Sequence, residues 1–225
     1  MSNNIPTKES LAEQALEIIH SSIARLLDTQ GIITIGLAGG TSMQEFFTTF
    51  KQSRDLPWDK IHLFWVDERC VPLSHKESNY LFAYNLFLHP LLEEGLLPSE
   101  NIHPFSGQEL ESYGEAFIRC KGSFDIIILS AGEDGHVASL FPGHHSIEVA
   151  EEGFFLLDDS PKAPSQRMTA SKALLQTADT ALLLFYGEEK RKALELYNDD
   201  SVDENLCPAK LIKAIPNHHI LTDLL

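Results

Sequence analysis

Within Ala131-Gly132-Glu133-Asp134-Gly135-His136, a histidine is flanked by glycine turns and stands beside two carboxylates. An imidazole so placed is accessible and titrates near neutral pH, the properties of a general base. A neighbouring carboxylate would orient the ring and stabilise its protonated form. Asp134 is assigned that role, with Glu133 the alternative. Taken without its surroundings, the same histidine could simply cap a loop or a helix.

Two further segments carry complementary chemistry. Gly36-Leu37-Ala38-Gly39-Gly40-Thr41-Ser42 ends an apolar run in paired glycines and hydroxyls, just before a helical pattern. Gly39 and Gly40 let backbone approach an anion, a helix start offers unpaired N–H groups, and Thr41 or Ser42 can donate a hydroxyl. Together they describe a phosphate cradle, although an ordinary capped turn would use the same residues. The spacing matches neither a G-x-G-x-x-G dinucleotide fingerprint nor a Walker A loop. Trp65-Val66-Asp67-Glu68-Arg69 sets three charges directly after another apolar run. There Arg69 can hold a carboxylate, a phosphate or a developing oxyanion, and the competing reading is a solvated loop with a surface ion pair. Arg167 and Lys190 each follow a loop at an element boundary and are candidate cations for the cradle. The pairs His144-His145 and His218-His219 lack the spacing and partner ligands of a metal site, so no metal is expected. Cys70, Cys120 and Cys207 form no C-x-x-C motif and read as reduced, incidental thiols.

These segments need a frame that gathers loops distant along the chain. Apolar residues from Ser10 to Leu27 recur at helical spacing and predict a first amphipathic helix, broken at Gly31. Short apolar runs at 31–38, 60–66, 124–130 and 181–186 read as buried strands, with weaker candidates at 154–158, 167–171 and 218–223. Helical patterns follow the first and fourth runs, at 41–50 and 187–197. The alternation predicts an α/β fold with a mostly parallel, doubly wound, Rossmann-like sheet and helices on both faces. Ligands of such sheets bind beyond the strands' carboxyl ends, where all three chemical segments lie. The stretch Asp158 to Pro164 reads as a surface loop.

A chain of 225 residues with 43% hydrophobic and 22% charged residues suits one globular domain spanning 1–225. Its net charge of −16 argues against nucleic acid or an anionic membrane as partner. It also requires any phosphate site to be built from a few local cations and backbone N–H groups. The stretch Met1 to Gln14 has no basic start followed by an apolar run, and no segment reaches the roughly 18 apolar residues of a membrane helix. A cytoplasmic protein is expected.

Taken in order, LAGGTS (37–42), FWVDERCVP (64–72) with SNY (78–80), DIIILSAGEDGHVASLFPG (125–143), RMTAS (167–171) and GEEK (187–190) form a recognisable series. The chain resembles the 6-phosphogluconolactonases, part of a larger group that includes glucosamine-6-phosphate deaminases and ribose-5-phosphate isomerases. The resemblance runs from Gly36 to Lys190 and is most specific in GEDGHVASLFPG. It implies that His136 activates water against the carbonyl of 6-phospho-D-glucono-1,5-lactone. The product would be 6-phosphogluconate, in the second step of the oxidative pentose phosphate pathway, with no cofactor and commonly with a monomeric enzyme. It further implies that Gly40, Thr41, Ser42, Arg167 and Lys190 hold the sugar phosphate and that Asp67 orients the substrate. Departures from the pattern stand out: Ala38 replaces the first serine of a Ser-Gly-Gly-Ser loop, Ser42-Met43 stands where Thr-Pro usually follows, and Ser130-Ala131 replaces a common Gly-Met before GEDGH.

Two rivals are weighed. Deaminases of the group follow the Gly-His with Ile-Ala-Phe-Asn-Glu, and Val137-Ala138-Ser139-Leu140-Phe141 lacks that glutamate. A non-catalytic sugar-phosphate sensor would keep the cradle but has no use for His136. It would normally bring a DNA-binding segment, which is not expected here because the chain begins almost at the domain.

Overall fold

The computed structural model describes residues 6–107 and 110–224; Met1–Ile5, where the N-terminal segment considered above begins, lie outside the described residues. Helix α1 (Lys8–Leu27) is capped by Thr7, whose hydroxyl accepts from the Ser10 N–H at 3.1 Å. Its buried Leu11, Ala15, Ile19, Ile23 and Leu26 form one stripe, as the 3.6-residue repeat requires. Strand β1 (Ile33–Leu37), helix α2 (Met43–Phe50), strand β2 (Ile61–Trp65) and the short β3 (Asp67–Arg69) follow. Then α3 (Asn79–Ala83), a π turn over Tyr84–Leu88 and α4 (His89–Glu93) form one continuous helical stretch. The remaining elements are β4 (Ile102–His103), α5 (Leu110–Cys120), β5 (Ile126–Ser130), β6 (Phe154–Leu157), β7 (Arg167–Ala170), α6 (Lys172–Leu175), β8 (Thr180–Phe185), α7 (Arg191–Asn198) and β9 (Asn217–Thr222).

Six strands form an entirely parallel sheet in the order β4-β2-β1-β5-β8-β9. Its apolar runs serve two cores at once, because successive side chains point to opposite faces. Leu63, Trp65, Ile126, Ile128, Leu182 and Leu184 pack with α1 and α2 on one face. Phe64, Val66, Ile127, Leu129, Leu183 and Phe185 pack with α5 and the C-terminal region on the other. Burying each such side chain contributes about 1.5–3 kcal/mol, which explains why the central strands are predominantly apolar on both faces.

The α/β class is as expected, with one addition. A separate antiparallel sheet, β3-β7-β6, takes up the charged segment 67–69 that sequence alone leaves open between substrate contact and solvated loop. Val66 joins the two sheets: its N–H donates to the Leu37 carbonyl at 2.9 Å and its carbonyl accepts from the Ala170 N–H at 2.7 Å. The strand therefore continues past the carboxyl end of the main sheet, and Asp67 and Glu68 are buried rather than solvated.

Candidate active site

Strand β5 ends in a closed turn that presents His136. The Gly132 N–H donates to the His136 carbonyl at 2.8 Å and the Gly135 N–H to the Gly132 carbonyl at 3.1 Å. A Cβ on Gly132 would lie 1.9 Å from His136 Nδ1, so only glycine lets the ring fold back over the turn, and Gly135 takes the left-handed φ of +86°. The ring lies against Phe141, with centroids 4.8 Å apart. Nδ1 stands 2.5 Å from an oxygen of Asp134, which identifies the carboxylate beside the imidazole. In the tautomer that donates Nδ1–H to an ionised Asp134, Nε2 is the ring's acceptor. Burial works against ionisation of Asp134, but its bonds to His136 and the charge of Lys162 outweigh that and hold the carboxyl well below the usual range. Lys162 Nζ lies 3.4 Å from its second oxygen.

The glycine cradle forms where β1 passes into α2. Gly40 has φ +104°, and a Cβ on Gly39 would meet Asn79 Oδ1 at 1.9 Å. The Asn79 amide thus packs directly on Gly39 and donates to the Asp67 carbonyl at 2.9 Å. The Met43 and Gln44 N–H groups turn back to the Gly40 and Thr41 carbonyls. Those of Gly40 and Thr41, both lining the cavity, have no backbone partner among the described residues, so they are the donors open to an anion.

Arg167 and Asp67 lie beside one another on the cavity wall. Arg167 is 4% exposed; its Nε donates to the Pro164 carbonyl at 3.0 Å and its NH2 to the Lys162 and Ala163 carbonyls at 3.1 and 3.4 Å. Its NH1 lies 3.8 Å from Asp67, whose carboxylate accepts from the Ser139 hydroxyl at 2.9 Å. The segment 158–164, read from sequence as a surface loop, is therefore gathered around a buried guanidinium, and its Lys162 and Ala163 face the cavity. Arg69 donates to the Glu77 carbonyl at 2.6 Å and lines the cavity, while its buried Nε has no partner among the described residues. Glu68 turns away from the cavity to accept from the Ser78 hydroxyl and the Asn79 and Tyr80 N–H groups, at 2.7–3.0 Å.

These parts line one cavity of about 270 Å³. Of the candidate residues, Gly39, Gly40, Thr41, Asp67, Arg69, His136, Arg167 and Lys190 line it, and Asp134 stands directly behind His136. Ser42 does not: its hydroxyl is buried and accepts from the Tyr186 N–H at 3.4 Å, which leaves Thr41 as the cradle's hydroxyl. Four cationic side chains (Arg69, Lys162, Arg167 and Lys190) face two carboxylates (Asp67 and Glu133), an excess of positive charge in an acidic protein. Burial lowers the pKa of both Arg167 and Lys190, opposed by nearby carboxylates. Asn79, Ser139 and Lys162 were missed as individual site residues, although the first two fall inside the quoted SNY and GHVASLFPG motifs.

Residues 6–221 match the model of the glucosamine-6-phosphate isomerase/6-phosphogluconolactonase family. The chain belongs to this family. It is 34% identical to a 6-phosphogluconolactonase of Borreliella burgdorferi, across 88% of this chain and 86% of that protein. A 6-phosphogluconolactonase of Nostoc sp. is 29% identical across 93% and 89%. The crystal structure of a Thermotoga maritima 6-phosphogluconolactonase superposes with a TM-score of 0.79 at 26% identity, covering 94% of each chain.

Proposed function

We propose that this chain hydrolyses 6-phospho-D-glucono-1,5-lactone to 6-phosphogluconate, in the oxidative pentose phosphate pathway, with His136 as general base. The observation that carries the assignment of roles is that the Asp134–His136 pair and the glycine cradle line or back the same small, cation-rich cavity. Thr41 and the cradle N–H groups, with Lys190, Lys162 and Arg167, hold the phosphate, and Asp67 orients the sugar. Nε2 of His136 takes a proton from water as the hydroxide oxygen attacks the lactone carbonyl. Arg69 stabilises the tetrahedral oxyanion. The imidazolium then returns its proton to the ring oxygen as the C–O bond breaks, so enzyme and charge are restored without a covalent intermediate or a cofactor.

The deaminase pattern sets a glutamate five residues after the histidine, where this chain has Phe141 packed against the imidazole. That apolar ring favours lactone hydrolysis over deamination. A monomeric, cytoplasmic enzyme of one catalytic domain, without nucleic-acid or membrane partners, fits the acidic charge; no described helix is long and apolar enough to cross a membrane.

Glucose-6-phosphate dehydrogenase can generate the lactone in situ, and its disappearance above the spontaneous rate reports the activity. His136→Ala should lower kcat by at least about a hundredfold with little change in substrate affinity. Unchanged turnover would remove His136 from the mechanism, and ammonia released from glucosamine 6-phosphate would favour the deaminase.

A further inference from the structure

At the β4 edge of the main sheet, three side chains converge that the hydrolytic chemistry does not use. Strands β2 and β4 run side by side with Phe64 opposite His103. Alternation puts His62 on the same face as Phe64, so His62 and His103 are diagonal neighbours. Helix α5 crosses this face, with Tyr113 and Phe117 edge-on to Phe64 at 5.8 and 5.0 Å. Residues 113, 117 and 120 share one helical stripe, which brings Cys120 over the two imidazoles. His62 Nδ1 and His103 Nε2 are 3.0 Å apart, and Cys120 Sγ lies 3.6 Å from the first and 3.9 Å from the second. All three residues are partly buried.

We propose that His62, His103 and Cys120 form a three-ligand site for a zinc-class divalent cation, with the fourth position left to solvent. Bonds of about 2.0–2.1 Å to nitrogen and 2.3 Å to sulfur in a tetrahedron separate the donors by about 3.4 Å (N···N) and 3.6 Å (N···S). The three observed separations depart from these by no more than about 0.4 Å, within the reach of small rotamer adjustments. Two imidazoles and one thiolate are a borderline-soft donor set that suits zinc and does not suit calcium or magnesium, which take oxygen ligands. A hydrogen bond between two imidazoles would explain their own contact, but it has no need of a third soft donor at ligand distance. The hydrogen bond between the two rings places one proton on a facing nitrogen, and a tautomer shift that moves it to that ring's other nitrogen frees both facing nitrogens for the ion. Coordination releases the Cys120 thiol proton to solvent as the S–metal bond forms. A bound ion would pin the end of α5 to the two-residue edge strand β4. No family motif is involved: positions 62, 103 and 120 are far apart in sequence, and the cysteine reads there as incidental.

Cobalt(II) and zinc(II) added to the purified, chelator-treated chain test this. Cobalt should bind once per chain, giving the intense visible bands of four-coordination and a thiolate-to-cobalt charge-transfer band, both removed by one equivalent of zinc. Cys120→Ser should abolish the charge-transfer band. His103→Ala should weaken binding by more than the roughly 10–100-fold that second-shell changes cost. A His144→Ala/His145→Ala variant should leave the spectrum unchanged, because those rings belong to a separate, partly exposed cluster around Asp159. The unaltered chain supplies a readout independent of variant folding: zinc should slow alkylation of Cys120 by iodoacetamide, read site by site by mass spectrometry, and leave Cys70 unaffected. A cobalt spectrum lacking the thiolate band, a six-coordinate spectrum, or equal Cys120 alkylation with and without zinc would overturn the site.

Discussion

Asp134 meets the imidazole of His136 on one oxygen and Lys162 on the other. Its pKa in the fold is depressed below the unfolded value of about 3.9, so the stability it contributes is fully present above that value. That contribution is lost as pH falls through the folded pKa. The stability difference between the parent and Asp134→Asn should therefore narrow below about pH 4, as urea midpoints across pH would report. A difference independent of pH would mean that the carboxylate's charge does not matter there. The same variant should lower kcat on the order of a hundredfold at neutral pH, since an amide cannot stabilise the imidazolium. The two buried cations should behave differently from each other. Lys190→Ala should chiefly raise KM, because it binds a group remote from the reacting carbon. Arg167→Met should also destabilise the fold by about 3 kcal/mol, because Asp67 loses its buried counter-charge and three carbonyls lose their donor. Steady-state kinetics and thermal melts on both variants separate the two effects.

Among the elements, the four central strands of the main sheet were legible because runs such as Ile126–Leu129 and Leu182–Phe185 are apolar on both faces, a pattern that few other environments accept; β9 was a weaker reading, and the two-residue edge strand β4 is too short to leave a pattern. The glycine turns were legible because they interrupt those runs at their carboxyl ends. β3 was not, because Asp67-Glu68-Arg69 has neither alternation nor apolar character and owes its strand geometry to pairing with β7, far along the chain. Asn79, Ser139 and Lys162 were equally hidden: a polar residue's role as a brace depends on which backbone it meets. Ser42 shows the converse, a hydroxyl in the right motif that the start of α2 turns into the core. Gly39 shows how closely the elements are fitted. Gly39→Ala would set a methyl at 1.9 Å from Asn79 Oδ1 and force the amide away from the Asp67 carbonyl. Lower thermal stability and a higher KM are expected, and a second change, Asn79→Ala, should recover part of the lost stability. Failure of the double variant to recover any would locate the damage elsewhere.

At the level of the whole molecule, a net charge of −16 surrounds a cavity lined by more cations than anions. Self-repulsion among the surface carboxylates opposes compactness. Raising ionic strength from about 0.01 M to 0.15 M shortens the screening length from about 30 Å to about 8 Å, which should raise Tm in calorimetry. A falling Tm would show instead that attractive surface pairs such as Arg54–Glu94 dominate. One further feature follows from how the chain returns on itself around the cavity. The His136 ring leads to Asp134, Asp134 to the Lys162 amine, the Lys162 carbonyl to Arg167, Arg167 to Ser139, and three residues of backbone from Ser139 back to His136. A necklace fastened in this way has no loose end. Cutting one bead leaves the imidazole tethered from the other direction, whereas cutting two on opposite arms sets it adrift.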